Sequence, residues 1–335
     1  MPPNLILKIS LVLSLILLFI YFPVAHATTV SLDWASPTIS NLSSVFMVNG
    51  TEGWAVGAHG TIIRWNGTNW NTFSSPTFTQ LNSVYMTNST SGWAVGNYGL
   101  IIRWNGTSWS VATSPTTYSL DSVFMVGKND GWAVGPYGTI IRYNGTAWNT
   151  FTSPTSEMLS AIYMTSATNG WIVGNNGIIL RWDGTHWNTI PSPTTTLLNF
   201  VNMASSSSGW AVGINGVIIH WDGSHWNTFA SPATEYLLSV DMVTSTNGWA
   251  VGGYGTILHW NGTSWNNATS PIRAYFYSVY MINATDGWAV GEGGAIIRWV
   301  GAAGEWIPEF PATRLILLVA TATTVSVLAF RRKRR

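Results

Sequence analysis

Hydrophobic and polar positions in this chain repeat with a period of 39 residues. A short apolar stretch between two glycines, Gly53-Trp54-Ala55-Val56-Gly57, returns at Gly92, Gly131, Gly170, Gly209, Gly248 and Gly287, with isoleucine for alanine in the fourth copy. Seven copies at one spacing, with no insertion between them, indicate a single structural unit repeated seven times.

Within one unit the pattern predicts four short strands, rich in β-branched and aromatic residues. In the second unit these are residues 81–86, 93–95, 100–104 and 109–112. Asn105-Gly106, between the third and fourth strands, predicts a type I′ turn with positive φ at both residues. Gly57 and Gly60, which bracket a two-residue loop in the first unit, are expected to adopt positive φ.

Four strands joined by tight turns form an antiparallel meander, which buries no face by itself. Seven meanders packed face to face around an axis close into a ring, so the sequence predicts an all-β, seven-bladed β-propeller with four antiparallel strands per blade. The alternative is a linear β-solenoid, whose repeats are usually shorter and which needs caps at both ends. The repeats lie near residues 37–75, 76–114, 115–153, 154–192, 193–231, 232–270 and 271–308.

Three aromatic positions recur in each unit and are expected to fill the wedge-shaped gaps between blades; in the first unit they are Trp54, Trp65 and Trp70. The seventh unit departs from this pattern, because Trp306 falls two residues late. Residues 30–34, before the first unit, also have a strand-like composition. We expect one of these two terminal segments, or both side by side, to complete the last blade and to join the chain ends by sheet hydrogen bonds.

The unit resembles the Ycf48-like and BNR-type propeller repeats, in which a Gly-Trp-Ala-Val-Gly strand precedes Gly-x-Ile-Ile and then a turn and a tryptophan. The resemblance covers residues 37 to about 306, and it specifies a fold rather than a function. The Asp-box of sialidase-like propellers reads Ser-x-Asp-x-Gly-x-Thr-Trp, whereas residues 66–70 read Asn-Gly-Thr-Asn-Trp. No sialidase residue is therefore carried over.

The two ends of the chain are more apolar than the repeats. Lys8, an apolar run over residues 9–22 and Ala25-His26-Ala27 predict a signal peptide over residues 1–27, cut after Ala27, with an uncleaved signal anchor as the alternative. The propeller is then expected over residues 28–308.

At the other end, Pro308-Glu309-Phe310 precedes an apolar run at 315–330 and five basic residues. This order, over residues 309–335, predicts a transmembrane helix with a cytoplasmic basic end. It also resembles the PEF-CTERM sorting signal of archaeal surface proteins, which implies cleavage by an archaeosortase near Pro308, Glu309 and Phe310 and transfer to a lipid anchor. Either outcome predicts an extracellular propeller tethered to the outer face of the cytoplasmic membrane.

Charge and cysteine content exclude some chemistry. Residues 28–308 hold twelve acidic and seven basic side chains, a net charge of −5, which is unlike a nucleic-acid-binding stripe. The chain has no cysteine, so disulfides and thiolate metal sites are excluded. The histidines have no metal-ligand spacing. No cofactor or metal is expected, and a monomer is predicted.

An exported chain can carry glycans at Asn-x-Ser/Thr sequences. Where the asparagine precedes glycine in the repeated turn, as at Asn66, the turn itself explains the residue. The predicted glycosylation sites are therefore Asn41, Asn49, Asn88, Asn267 and Asn283.

One basic residue stands before the third-strand aromatic of every unit: Arg64, Arg103, Arg142, Arg181, His220, His259 and Arg298. Seven such residues in a ring would suit a polyanion, but stacking on neighbouring tryptophans is the favoured interpretation. Variation is concentrated in the loop after the repeated motif, which shares a face with the linkers between units. The predicted ligand-binding residues lie there: His59, Tyr98, Tyr137, Asn176, Asn215, Tyr254 and Glu292.

Aromatic and amide side chains in these loops suit sugars, because flat rings stack on them and amides bond hydroxyls. The predicted function is a surface-anchored binding or adhesion propeller that recognises a glycan or a cell-surface protein. An extracellular glycosidase or lyase is one alternative, although no pair of acidic residues stands out and no catalytic residue is assigned. An assembly factor for a membrane complex is another, suggested by the Ycf48-like repeat alone.

Overall fold

The computed structural model describes residues 36–301 and 304–308, which form seven four-stranded antiparallel sheets. Each sheet consists of four strands consecutive in the chain, and we number the sheets as blades 1 to 7. The predicted seven-bladed β-propeller with four antiparallel strands per blade is therefore confirmed.

Strands of the first four blades are β1 (Leu42–Asn49), β2 (Glu52–Gly57), β3 (Ile62–Trp65), β4 (Trp70–Thr72); β5 (Leu81–Asn88), β6 (Ser91–Gly96), β7 (Ile101–Trp104), β8 (Trp109–Ala112); β9 (Ser122–Gly127), β10 (Asp130–Val134), β11 (Ile140–Tyr143), β12 (Trp148–Thr150); β13 (Leu159–Ser166), β14 (Asn169–Gly174), β15 (Ile179–Trp182) and β16 (Trp187–Thr189). Strands of the last three blades are β17 (Leu198–Ser205), β18 (Ser208–Gly213), β19 (Ile218–Trp221), β20 (Trp226–Phe229); β21 (Leu237–Thr244), β22 (Asn247–Gly252), β23 (Ile257–Trp260), β24 (Trp265–Asn267); β25 (Phe276–Asn283), β26 (Asp286–Gly291), β27 (Ile296–Val300) and β28 (Glu305–Pro308).

Short 3-10 turns follow the second strand in six blades, at Ala58–Gly60, Asn97–Gly99, Asn175–Gly177, Ile214–Gly216, Gly253–Gly255 and Glu292–Gly294. In the described residues, no helix is long and apolar enough to cross a membrane. The apolar run at 315–330, like Ala27, Glu309 and Phe310, lies outside the described residues, whereas Pro308 ends β28.

The first strand of every blade lines a central channel, and the fourth strand is outermost. Tryptophans fill the space between adjacent blades, as predicted. The ring centroid of Trp54 in blade 1 lies 4.7 Å from that of Trp104 and 5.5 Å from that of Trp109, both in blade 2. All three rings are buried. Such pairs add about 0.5–1.5 kcal/mol beyond the burial of their area.

The basic residue of the third strand stacks on a tryptophan, which confirms the favoured interpretation of that position. The Arg142 guanidinium lies 4.8 Å from the Trp132 ring centroid, and the His259 ring stacks on Trp249 at 4.3 Å. Arg142 also forms an ion pair with Asp130, at 2.9 Å. Because these groups are held one per blade against the tryptophans, they do not assemble into one polyanion site.

The last blade is completed by one of the two terminal segments expected to do so, the segment that holds Trp306. The fourth strand of blade 7 is β28, and residues 30–34 lie outside the described residues. Blades 7 and 1 are joined like any other two blades. The Val45 N–H of blade 1 donates to Ser278 Oγ of blade 7 at 3.2 Å, and Val84 N–H donates to Ser44 Oγ at 3.2 Å between blades 1 and 2.

The prediction of positive φ was correct for Gly60 but wrong for Gly57. Gly60 has φ of 69°, whereas Gly57 has φ of −174°, which any residue adopts. Glycine is required at Gly57 because a Cβ there would lie 1.9 Å from the Asn41 carbonyl oxygen. Close approach between β2 and the segment before β1 therefore fixes this residue.

The Asn-Gly turns between the third and fourth strands are not type I′, because only the glycine has positive φ. Gly106 has φ of 96°, and Asn105 is not in the positive-φ region. The Asn105 side chain instead accepts the N–H groups of Thr107 and Ser108, both at 2.9 Å. This is an Asx-type turn, in which the side chain takes the place of a backbone acceptor.

Asp183 and Asp222 occupy the same turn position in blades 4 and 5, as predicted. The Asp183 carboxylate accepts hydrogen bonds from Thr185 and the His186 N–H, which lower its pKa below the ordinary value. These two exposed aspartates therefore support turns.

Candidate functional site

One end of the ring carries the turns after each second strand together with the segments that enter each first strand. We call it the linker face: turns 58–60, 97–99, 136–138, 175–177, 214–216, 253–255 and 292–294, and segments 36–41, 73–80, 113–121, 151–158, 190–197, 230–236 and 268–275. Turn and segment touch directly, since Ala58 N–H donates to the Asn41 carbonyl at 2.9 Å and Gly138 N–H to the Glu157 carbonyl at 2.8 Å.

The seven predicted ligand-binding residues all lie on the linker face and are all exposed. Six of them are the central residue of the turn and have φ between 53° and 59°: His59, Tyr98, Tyr137, Asn176, Asn215 and Tyr254. Glu292 lies one position earlier, and Gly293 takes the central position in blade 7. The structure thus confirms their shared location; their role in binding stays a prediction.

Sequence reasoning missed the left-handed backbone at this position. Asparagine and glycine tolerate it, whereas a bulky tyrosine is unusual there. The signal was available, because the seven copies are confined to His, Tyr, Asn and Gly. The backbone of Tyr98, Tyr137 and Tyr254 is thus held in a conformation that tyrosine rarely adopts.

Aromatic side chains of the turns meet those of the linkers. The rings of Tyr118 and Tyr137 lie 5.1 Å apart, and those of Tyr254 and Tyr275 lie 4.8 Å apart. A side-chain hydrogen bond with Tyr254 is the main cause that raises the pKa of Tyr275 to about 12. Arg273 lies over the Tyr254 ring at 5.5 Å. Two aromatic patches therefore form, one at blade 3 and one between blades 6 and 7.

Exposed apolar surface is concentrated on the same face. Among the described residues, eight large hydrophobic side chains are exposed, and seven belong to the linker face: Ile39, Phe78, Tyr98, Tyr118, Tyr137, Tyr236 and Tyr254. The eighth, Val111, lies on the outer strand β8. Single exposed apolar residues scattered over the surface are normal in soluble proteins, whereas here they are concentrated on one face.

The linkers hold this surface in place by short-range hydrogen bonds. Ser75 Oγ donates to the Thr77 carbonyl at 3.1 Å, and the Thr79 N–H donates to Thr77 Oγ1 at 3.0 Å. The serine recurs with the same contact at Ser114, Ser153, Ser192, Ser231 and Ser270. Fixed loops lose little conformational entropy when a partner binds.

The five predicted glycosylation asparagines are all exposed. Asn49, Asn88 and Asn283 end the first strand of their blades, at the opposite end of the sheets from the linker face. Asn41 lies on the linker face, where its Oδ1 accepts the Gly293 N–H at 2.8 Å. Asn267 ends the outer strand β24. Exposure is compatible with modification, which stays a prediction.

The central channel contains a cavity of about 440 Å³, which sequence reasoning did not identify. Its wall includes one equivalent residue from each first strand: Phe46, Tyr85, Phe124, Tyr163, Asn202, Asp241 and Tyr280. These positions are again 39 residues apart, so reading down the column of repeats would have found them.

Two carboxylates line this channel. Burial raises the pKa of Asp121 to about 6 and that of Asp241 to about 6. Burial is the main cause of both shifts, and neither carboxylate is among the causes that shift the pKa of the other. A glycosidase needs two carboxyls placed on either side of one bond, and these shifts give no indication of a coupled pair.

In the described residues, no group of three or more His, Asp or Glu side chains is arranged to hold a metal ion. The fold and the linker face together define the class of protein: a seven-bladed β-propeller with exposed aromatic side chains at one end of its ring.

Comparison with known proteins supports the fold. No family model matches the chain. No curated protein matches it either. Among solved structures, "YCF48 bound to D1 peptide" is similar at 19% identity and a TM-score of 0.68, covering 80% of this chain and 95% of that one. YCF48 from Cyanidioschyzon merolae is similar at 16% identity and a TM-score of 0.66, covering 79% and 97%. The WD40 repeats of RRP9 are similar at 11% identity and a TM-score of 0.63, covering 77% and 92%. Identities this low establish a shared fold alone.

Proposed function

We propose that this propeller is a binding protein that holds a polypeptide partner against the linker face. The observation that carries the proposal is the concentration of exposed apolar side chains there: the linker face holds seven of the eight exposed large hydrophobic residues in the described part of the chain, and six of the seven are aromatic. Tyrosine is favoured at binding surfaces because it contributes a large apolar ring and a polar tip with few rotatable bonds. The peptide named for the Ycf48 structure is a precedent for peptide binding by this fold.

The site combines rigid aromatic contacts with acceptors and donors around them. Tyr118 and Tyr137 would bury apolar side chains of the partner. Arg273, beside Tyr254, would pair with an acidic residue or a chain terminus. Asn176 and Asn215 would bond its backbone amides.

A peptide selection tests this proposal. The full chain is used to select from a displayed random-peptide library, and the enriched peptides are measured against Tyr98→Asn, Tyr137→Asn and Tyr254→Asn combined in one chain. Asparagine already occupies this position in blades 4 and 5, so the backbone is undisturbed. We expect at least a tenfold loss of affinity with unchanged thermal stability.

The control is Val111→Thr, which removes the exposed hydrophobic residue outside the linker face and introduces the residue found at the equivalent Thr72. It should leave affinity unchanged. Equal binding by the triple variant, or enrichment of no peptide at all, would overturn the proposal.

A glycan is the second candidate ligand, because exposed tyrosines beside asparagines also suit sugar rings. The same variants on a glycan array decide between the two. Saturable glycan binding that the triple variant loses, without peptide enrichment, would establish the glycan.

The setting of this binding activity is proposed from the chain ends and the neighbours. Residues 1–27 support export of the chain. Residues 309–335 support anchoring at the outer face of the cytoplasmic membrane, with cleavage by an archaeosortase-like enzyme. The Ycf48 neighbours favour a role in assembling a membrane complex over adhesion. Protease treatment of intact cells tests exposure, and co-purification with one stoichiometric membrane complex would favour the assembly role.

A further inference from the structure

The central cavity has a wall that is aromatic on one side and polar on the other. At the level of Phe46, five rings follow one another around the axis from Tyr280 through Phe46, Tyr85 and Phe124 to Tyr163. Neighbouring ring centroids are 4.6–5.0 Å apart. Asn202 and Asp241 complete the circle.

Asp241, in blade 6, lies on the polar side of the cavity and is held there by hydrogen bonds from the two neighbouring blades. Its Oδ1 accepts from Asn202 Nδ2 of blade 5 at 2.8 Å, and its Oδ2 accepts from the Met281 N–H of blade 7 at 2.6 Å. Each carboxylate oxygen keeps a further lone pair, so the group can take another ligand.

No cationic side chain accompanies Asp241 among the described residues, where the ion pairs are those of Arg64, Arg142 and Arg298. Buried charges are ordinarily paired or bound to a cation, because desolvation otherwise disfavours them. The cavity therefore holds an anionic group to which the described residues supply no counterion.

Three tyrosines that line this space have hydroxyl groups without a hydrogen-bond partner in the described residues: Tyr85, Tyr163 and Tyr280. Burial is the main cause that raises the pKa of both Tyr163 and Tyr280, and the charge of Asp241 is the second. Both hydroxyls are therefore close enough to Asp241 to interact with its charge. The hydroxyls stay protonated at neutral pH and are available to a ligand.

We propose that the central cavity binds a small organic ammonium ion, with Asp241 as its counterion and the rings of Phe46, Tyr85 and Phe124 among its apolar walls. Aromatic faces attract organic cations, and they do so most strongly where water is excluded. A hard metal ion is a poorer fit, because calcium takes six to eight oxygen ligands and Asp241 is the one carboxylate at this level. The volume of about 440 Å³ lies within the range of small-molecule sites.

This inference is independent of the proposed peptide binding, since the site around Asp241 lies on the ring axis and the exposed turn tyrosines Tyr98, Tyr137 and Tyr254 do not line the cavity. Titration calorimetry of the purified full chain with choline, at neutral pH, is the test. We expect saturable 1:1 binding. The neutral carbon isostere 3,3-dimethylbutan-1-ol should bind at least tenfold more weakly, because it keeps the shape of choline and lacks its charge.

Variants separate the two parts of the site. Asp241→Asn should weaken choline binding at least tenfold, and Tyr85→Leu should weaken it severalfold by removing one aromatic wall. The control is Asp222→Asn, which gives an exposed turn the residue found in most other blades; it should bind like the native chain. Because Asp241 also joins blades, the folded state of each variant is checked by its tryptophan fluorescence.

Three results would each overturn the proposal. Choline binding could fail to reach saturation at millimolar concentrations of choline. The isostere could bind as tightly as choline, which would show a merely apolar cavity. Sodium or calcium at equal concentration could displace choline, which would show a metal site.

Discussion

Two sets of side chains on the innermost strands, one residue apart, follow opposite rules. The residue after the channel position is methionine in every blade: Met47, Met86, Met125, Met164, Met203, Met242 and Met281. The channel position itself is phenylalanine, tyrosine, asparagine or aspartate. Successive side chains of a strand point to opposite faces, so each set meets a different environment.

The methionine lies across the first glycine of the repeated motif. Met47 pairs with Gly53 on the neighbouring strand, and a Cβ on Gly53 would lie 2.2 Å from the methionine sulfur. The same contact recurs in all seven blades, at 2.1–2.3 Å. Gly-Trp-Ala-Val-Gly is thus invariant at its two ends for two different reasons: a methionine covers the first glycine, and a backbone carbonyl contacts the last.

The channel position is not constrained by such a partner. Its side chains contact one another around the axis and border open space, so that aromatic and polar residues both fit. Positions repeated without change therefore report packing that every blade shares, and positions that vary on the same strand can change because they border open space.

Truncating both kinds of position in one blade tests this distinction with the largest expected effect. Met164→Ala should cost about 2–5 kcal/mol of unfolding free energy, because Met164 is 4% exposed and its removal leaves a cavity. Tyr163→Asn, which introduces the native residue of blade 5, should cost less than half as much. Urea unfolding of both variants measures the difference.

An equal loss from the two substitutions would show that the channel ring also supports the fold. Native-like unfolding of Met164→Ala would instead show that the methionine and glycine pair is dispensable, and the explanation of the motif would fail.

The repeat made most of the fold predictable. Seven blades, four strands each and the tryptophan packing all follow from a 39-residue period whose local signals agree. The close contact between backbone segments could not be predicted, because nothing in the sequence indicates that the Asn41 carbonyl lies against Gly57. The turn chemistry was misjudged for a related reason, since the Asn105 side chain replaces the expected left-handed backbone.

The candidate site was predictable in part. The linker-face residues were found because they vary within a fixed frame. Asp241 was counted among the acidic residues, but its meeting with Asn202 and Tyr280 depends on the ring that brings blades 5, 6 and 7 to one axis. Contacts between residues in different repeats cannot be read from either repeat alone.

The ionisation of Asp241 makes the contribution of one channel residue to stability depend on pH. Burial raises the folded-state pKa of Asp241 to about 6, above that of an unfolded aspartate. The carboxylate therefore disfavours the fold above pH 6, and that penalty disappears as pH falls towards 4.

We expect the stability of the native chain relative to Asp241→Asn to rise by about 1–3 kcal/mol between pH 7 and pH 4. The titratable side chains that interact with the Asp241 charge are Tyr163 and Tyr280, and both stay protonated between pH 4 and pH 7. Urea unfolding of both chains across the range measures the difference. A constant difference, or one that falls with decreasing pH, would contradict a raised pKa.

The smallest expected effect concerns the interface between blades 4 and 5. Five of the seven interfaces have a serine two residues before the channel position, whose hydroxyl accepts an N–H of the next blade: Ser44, Ser83, Ser122, Ser239 and Ser278. Blades 5 and 6 are joined by Asn202, which accepts the Met242 N–H. Ala161 leaves the interface of blades 4 and 5 without this bond.

Ala161→Ser should supply the missing hydrogen bond and raise the unfolding free energy by about 0.5–1.5 kcal/mol. Ser122→Ala should lower the unfolding free energy. Destabilisation by both substitutions would mean that packing around Ala161, and not the missing hydroxyl, sets the geometry of that interface.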